Sequence, residues 1–295
     1  MSETSDAGTA LVDRYDALLV DLDGTLLLAG TVVPHAPEAM AAARSVGTKV
    51  LVVTNNASRS PAEVARRLTD RGIPTAGDEV VNSPQAAAVL LAHSHRAGDP
   101  VLVVGTEALA QAITDVGLVP VRSADDHPVA VVQGYSPDIG WRDLAEACLA
   151  IGAGADWVAT NMDSTLPTDR GLLPGNGSLV AALITATGRR PRVAGKPERP
   201  LLDAAADRVG AKRPLVVGDR LDTDIAAACA AGMDSLMVLT GVSGLPDLLA
   251  TPRELRPTYV ATDLRGLTEA PAAVAIACIE DDDVLRARLA RAGID

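Results

Sequence analysis

The sequence predicts an α/β protein built on a parallel sheet, and two observations carry that expectation. Short runs rich in Val, Leu and Ala recur along the chain with continuous rather than alternating hydrophobicity, which marks strands buried on both faces. Ala-rich segments with helical pattern separate them, as crossovers between parallel strands require.

In order, the runs are ALLVDLDG (17–24), KVLVVTNN (49–56), PVLVVGT (100–106), PVAVVQGY (128–135), DWVATNMD (156–163), PLVVGD (214–219) and SLMVLTG (235–241). Helices are legible between them. SPAEVARRLTDRG opens on a Ser60 cap with Pro61 in the first turn and stops at Gly72, while GWRDLAEACLAIG and DTDIAAACAAG each end on glycine. Ligands of open parallel sheets gather beyond the carboxyl ends of the strands. Those ends carry Asp21, Asp23, Thr54, Asn55, Asn56, Asp219 and Asp224.

One stretch breaks the repeat. Residues 85–185 hold three strand-like runs of their own and several loops, enough for a second α/β domain inserted into the first. The expected organisation is a core in two parts, 1–84 and 186–267, around the insert at 85–185, with a C-terminal extension at 268–295. That extension reads as an extra strand or helix pair of no legible role.

Composition bounds the function. A chain of 295 residues, 48% apolar, has ample material for a packed aliphatic core, although aromatics make up 2% and Phe is absent. No window approaches a membrane span, and the opening MSETSDAGTALVDRYD is polar and acidic, unlike a secretory signal. The expected address is the cytoplasm. A net charge of −12 argues against nucleic-acid or anionic-membrane partners, which need a basic face. Cys148, Cys229 and Cys278 are odd in number and far apart, so they read as small core residues and suggest neither disulfides nor zinc. His35, His93, His95 and His127 form no triad or metal cage. PGNGS lacks the Lys-Ser/Thr of a nucleotide-binding loop.

The chemistry begins with Asp21 and Asp23. Two residues apart in extended backbone, they point the same way and repel unless a cation sits between them. Mg²⁺ suits such a pair, since it takes oxygen ligands and leaves positions for water and a substrate phosphate. Asp219, from another strand end, completes the cluster. One carboxylate there can attack phosphorus and form an aspartyl phosphate, with the metal offsetting phosphoryl charge. The second acid can protonate the departing alkoxide and then take a proton from water. Thr54, Asn55, Asn56 and Lys196 are suitable donors to the phosphoryl oxygens. Lysine occurs only at Lys49, Lys196 and Lys212 in this Arg-rich chain, and a compact ammonium fits where a guanidinium fork fits less easily. Several of these residues have plainer readings: Asn55 and Asn56 as caps of the following helix, Asp222 as a helix cap. Asn161 and Asp163 either face a substrate or brace their loop.

Taken in order, DLDGT at Asp21, Thr54, Lys196 in AGKPERP and GDRLDTDI from Gly218 resemble the four motifs of the haloacid-dehalogenase-like phosphatases, over nearly residues 15–267. The resemblance implies a Rossmann-like core with an inserted α/β cap that seals the site and selects the leaving group. It implies Asp21 as nucleophile and Asp23 as acid/base whose backbone carbonyl also binds Mg²⁺. Thr54 and Lys196 become phosphoryl clamps and Asp219 the third protein ligand, with Asp224 outside the direct ligands or bound through water. The large insert, the TNN extension and GDRLDTDI are similar to the subfamily of NagD-type, pyridoxal-phosphate and phosphoglycolate or glycerol-3-phosphate phosphatases. TNMDSTLPTDRG followed by PGNGSL looks most like the last branch.

The expected activity is therefore Mg²⁺-dependent hydrolysis of a small phosphate ester, glycerol 3-phosphate first and 2-phosphoglycolate second. Pyridoxal phosphate and sugar or nucleotide monophosphates are the nearest alternatives. Dehalogenation is disfavoured because Asp23 has no work when halide leaves. A non-catalytic phosphometabolite-binding module would be better served by a neutral residue at 23. Caps of this size often assist dimerisation in the resembled subfamily, so a homodimer is an expectation of the resemblance, although no stripe in the sequence derives it.

Overall fold

Each apolar run forms a strand in the computed structural model, which describes residues 9–57, 59–168, 170–277, 279 and 281–294. The first eight residues of the polar opening segment, Asp169 of the TNMDSTLPTDRG loop and Cys278 lie outside the described residues. The strands are β1 (Ala17–Asp21), β2 (Leu27–Leu28), β3 (Thr31–Val32), β4 (Lys49–Thr54), β5 (Val80–Asn82), β6 (Pro100–Val104), β7 (Val119–Val121) and β8 (Ala130–Gln133). They continue as β9 (Asp156–Ala159), β10 (Thr165–Thr168), β11 (Gly171–Pro174), β12 (Arg192–Val193), β13 (Pro214–Gly218), β14 (Asp234–Val238), β15 (Tyr259–Ala261) and β16 (Ala273–Ala275). The helices are α1 (Ala36–Ser45), α2 (Pro61–Thr69), α3 (Ser83–Ala92), α4 (Glu107–Asp115) and α5 (Trp141–Gly152). After them come α6 (Asn176–Thr187), α7 (Pro200–Val209), α8 (Ala226–Ala231), α9 (Leu245–Ala250) and α10 (Asp282–Arg291).

The chain divides into two compact units, one of residues 1–54, 62–80 and 197–295, the other of 55–61 and 81–196. The first is organised on a sheet in the order β16-β15-β14-β13-β1-β4-β5. Pairing is parallel from β15 through β4, and β16 closes the far edge antiparallel to β15. From β1 the chain builds outward through β4 to β5, then returns to start the other half at β13. The strand order therefore reverses between β1 and β13, where open α/β sheets bind ligands. Register brings the two carboxyl ends level, Val20 beside Val217, and sets Asp21 beside Val53 of β4.

Both faces of this sheet are covered. Leu18, Val20, Val52, Val217 and Leu236 pack with Met40 of α1 and Leu68 of α2 on one face. On the other, Met237 and Val260 pack with Ile225, Leu248, Leu285 and Leu289. The segment beyond 268 is thus built into this unit: β16 joins the sheet and α10 buries Leu285 and Leu289 completely. A buried leucine of this kind contributes about 1.5–3 kcal/mol by leaving water.

The second unit carries its own parallel sheet, in the order β12-β9-β8-β6-β7. Leu102, Val131 and Trp157 pack on one face against Ile151 of α5 and Val180 and Leu183 of α6. An antiparallel hairpin, β10 with β11, follows β9. The unit reaches Lys196 because Arg192 and Val193 pair with Val158 and Ala159. It is therefore longer at both ends than the 85–185 insert read from the sequence. Among the described residues, no helix is long and apolar enough to cross a membrane. Cys148 and Cys229 are half-buried free thiols.

One ion pair pins the lower edge of the second sheet. Asp156 accepts from Arg192 of β12, and its Oδ2 lies 3.3 Å from His95 Nε2. Burial alone would push the Asp156 carboxyl up, but the hydrogen bond and charge of Arg192, with those of His95, hold it below the usual carboxylate range. A carboxyl depressed by folding adds stability that is complete above its ordinary value, about 4, and lost as pH falls through the native value. Asp156→Asn is expected to lower Tm most at pH 7, with the gap to the native protein shrinking below about pH 4; a gap that widens on acidification contradicts this account.

Candidate active site

Asp21 is the last residue of β1, and the turn after it is held by buried apolar side chains. Leu26 N–H and Leu27 N–H both donate to the Leu22 carbonyl, at 3.0 and 2.9 Å, and Gly24 N–H donates to the Leu27 carbonyl at 2.6 Å. Leu22, Leu26 and Leu27 are buried, whereas Asp23 is exposed. On the neighbouring strand, Asp219 follows Gly218 at the end of β13 and is fully buried. A wide helical turn over Leu221–Ile225 comes next, in which Asp224 N–H and Ile225 N–H share the Arg220 carbonyl at 3.0 and 3.1 Å. Asp224 Oδ2 accepts from Arg220 N–H at 3.1 Å.

These elements gather one carboxylate oxygen each from Asp21, Asp219 and Asp224 within 4.8 Å of one another, all buried. The acid completing the trio is Asp224, which the sequence reading kept outside the direct ligands, and the exposed Asp23 carboxylate is not part of it. Two like charges at that separation repel by about 3–4 kcal/mol at an effective dielectric of 20. Hydrogen bonds from the chain offset part of this, at about 1.5–3 kcal/mol for each donor to a charged group. Val242 N–H donates to Asp219 Oδ2 at 2.7 Å and Thr25 Oγ1 to Asp219 Oδ1 at 3.4 Å. An all-carboxylate donor set suits a hard divalent cation.

The loop after β14 shapes this trio and was missed in the sequence. Thr240 Oγ1 donates to the Gly24 carbonyl at 2.7 Å, Ser243 N–H to the Asp219 carbonyl at 3.1 Å, and Leu221 N–H to Ser243 Oγ at 3.1 Å. A Cβ at Gly24 or at Gly241 would overlap the Asp219 carboxylate, so only glycines let both loops close on it. The available signal was positional: TGVSG follows a strand run and so stands at a strand end, where ligand-facing groups collect. Thr54 is buried at the end of β4, one residue past the partner of Asp21. Asp222 turns outward and pairs with Arg220, at 2.9 and 2.7 Å, which holds its carboxyl below the usual range.

The remaining residues singled out in the sequence lie in the second unit. Lys196 is buried, 3% exposed, and its backbone meets the Asn55 side chain twice: Lys196 N–H donates to Asn55 Oδ1 at 2.8 Å and Asn55 Nδ2 donates to the Lys196 carbonyl at 2.9 Å. The carboxamide of Asn55, read as a phosphoryl donor, is thus engaged with Lys196. Asn56 is half-buried. Asn161 Nδ2 donates to the Asn55 carbonyl at 2.9 Å, and Asn161 Oδ1 accepts from Asp163 N–H at 3.2 Å, so Asn161 braces its loop.

Comparisons with known proteins bear on the family of the chain. A family model described as haloacid dehalogenase-like hydrolase matches residues 18–119, and a second, HAD-hydrolase-like, matches residues 193–267. The chain is 53% identical over 268 residues to a D-glycerol 3-phosphate phosphatase of Mycobacterium tuberculosis, covering 91% of this chain and 75% of that protein. A 5'-nucleotidase of Bacillus subtilis is 38% identical over 231 residues, 78% of this chain and 89% of that one. The crystal structure of a glycerol phosphate phosphatase from Mycobacterium tuberculosis in complex with magnesium superposes with a TM-score of 0.86 at 52% identity, covering 91% of this chain and 81% of that one.

The cradle makes a direct test of the acid trio. Gly241→Ala forces the Asp219 carboxylate aside, and Mg²⁺ affinity measured by calorimetric titration is expected to fall at least about tenfold in a protein whose Tm shows it folded. Unchanged affinity would place the cation elsewhere.

Proposed function

The chain belongs to the haloacid dehalogenase-like hydrolases, and from that premise we propose that it is a Mg²⁺-dependent phosphomonoesterase whose ester is glycerol 3-phosphate. The observation that carries the reading is the buried trio Asp21, Asp219 and Asp224 at the carboxyl ends of β1 and β13. Similarity to the D-glycerol 3-phosphate phosphatase supports the choice of ester.

Asp21, Asp219 and Asp224, with the backbone carbonyl of Asp23, are the groups that would hold the cation. When bound, Mg²⁺ supplies positive charge that offsets the carboxylates and the phosphoryl oxygens. The Asp21 carboxylate attacks phosphorus, so that its bond to phosphorus forms as the bond from phosphorus to the glycerol oxygen breaks. Asp23 gives its proton to the departing alkoxide. In the second half Asp23 takes a proton from water, the water oxygen bonds to phosphorus, and Asp21 leaves as free carboxylate with inorganic phosphate as product. The exposure of Asp23 suits a group that must exchange protons with water in every cycle. The Thr54 hydroxyl, the Lys196 ammonium and the backbone N–H groups of Asn55 and Asn56 are assigned to the phosphoryl oxygens by type and motif order.

A cytoplasmic address and a homodimer belong to the same proposal. Trp141 and Leu149 of α5 are 80% and 63% exposed, which supports self-association. Sedimentation equilibrium should report a dimer that Trp141→Glu weakens; a monomer at all concentrations ends that part of the proposal.

Phosphate release from a panel of esters tests the main reading. Glycerol 3-phosphate is expected to give the highest kcat/KM, above 2-phosphoglycolate, pyridoxal phosphate, a hexose phosphate and a nucleoside 5'-monophosphate. EDTA should abolish turnover, and Asp21→Asn should lower kcat by about a thousandfold or more with Tm retained. Retained turnover in Asp21→Asn removes the nucleophile, and a faster rival ester removes the substrate assignment.

A further inference from the structure

Three asparagine side chains in the second unit form a continuous relay that ends on Lys196. Asn176, at the start of α6 and 1% exposed, donates from Nδ2 to the Asn161 carbonyl at 2.8 Å. Asn161, after β9, donates from Nδ2 to the Asn55 carbonyl at 2.9 Å, an oxygen that also accepts from Ser83 Oγ at 2.7 Å. Asn55 then closes its pair of bonds on the N–H and carbonyl of Lys196, at 2.8 and 2.9 Å. Each link joins an amide side chain to backbone, so the relay depends on no long flexible side chain.

The last link has a mechanical consequence. A carboxamide bonded to both the N–H and the carbonyl of one residue fixes the peptide planes on either side of it, and with them the direction in which its side chain leaves the backbone. Pro197 adds to this by disfavouring helical backbone at Lys196. Gly195 makes the approach possible, because a Cβ there would stand 2.5 Å from the Thr160 carbonyl oxygen and 2.6 Å from Asn55 Oδ1. A lysine side chain carries about 2 kcal/mol of rotamer entropy, so a fixed root reduces what must be ordered when its ammonium is used.

We infer that Asn55, Asn161 and Asn176 are positioning residues for Lys196, acting on the reaction through the presentation of its ammonium rather than through the side-chain contact with the ester assigned to asparagines by type alone. The inference rests on the reading of Lys196 as the cation for the phosphoryl group. It makes the loop after β9 part of the catalytic apparatus by way of backbone geometry. It also explains why glycine precedes the lysine and proline follows it.

A double-mutant cycle separates this role from general bracing, since residues that act through one group are non-additive with its removal. With p-nitrophenyl phosphate and saturating Mg²⁺, Asn161→Ala and Asn55→Ala are expected to lower kcat/KM about 10- to 100-fold in the native background. In the Lys196→Met background the same changes should cost less than about twofold. Equal losses in both backgrounds, or no loss in the native one, overturn the inference. Should Asn55→Ala fail to fold, as its Tm would report, Asn176→Ala carries the same cycle from two links further away. If Lys196→Met alone leaves kcat/KM unchanged, the phosphoryl reading has failed and the inference falls with it, an outcome recognisable on the single variant.

Discussion

Like charges held together out of water are the constraint on which the rest of this structure depends. Three pairwise repulsions among Asp21, Asp219 and Asp224, at about 3–4 kcal/mol each, approach the whole net stability of a typical domain, about 5–15 kcal/mol. The strands leading to the acids are correspondingly apolar: β1 is buried at every residue and β13 at all but its first. Their parallel pairing fixes where the acids emerge, and the turns after them fix how they point. Val242 N–H, Arg220 N–H and the Thr25 hydroxyl all aim at carboxylate oxygens of the trio. A divalent cation bound among the three would offset their repulsion further, and a cation bound to the folded state alone stabilises it by mass action.

The sheet was legible in the sequence to the extent that its strands are buried on both faces, because continuous apolar runs have no other common use in an α/β chain. β15 escaped notice because it is three residues long, too short to show periodicity, and β16, equally short, was read only as one option, an extra strand or helix pair in the extension. β12 is shorter still, and the second unit therefore runs on to Lys196, past the border that composition suggests. The tail beyond 268 offered one apolar run, PAAVAIACI, with no legible role, and the partners that give Leu285 and Leu289 their place, Met237 and Val260, are remote in sequence.

Within the site, Asp21 and Asp219 were legible as acids at strand ends. Asp224 was not legible as their equal, because its direction is set by the wide turn over Leu221–Ile225. Two N–H groups converging on the Arg220 carbonyl add a residue to that turn, and regular helical spacing of 3.6 residues does not foresee it. The place of the Asn55 side chain was hidden for a related reason. Its residue type permits donation to an anion, but its partner is a backbone 141 residues away, which no local pattern announces. Thr240 and Ser243 act on Gly24, Asp219 and Leu221 by the same long reach.

Hydrogen bonds within the first unit fix the acids, and hydrogen bonds within the second fix the backbone of Lys196. In the first, Val242 and Thr25 donate to Asp219 and the glycines at 24 and 241 leave room for it; in the second, Asn176 holds Asn161, Asn161 holds Asn55, and Asn55 holds the backbone of Lys196. Because every link is made during folding, the ordering cost falls on the free protein, and groups fixed in advance need no reorganisation as charge develops on an ester. Bonds made within each unit fix the acids of the first and the backbone of Lys196 in the second before any substrate arrives.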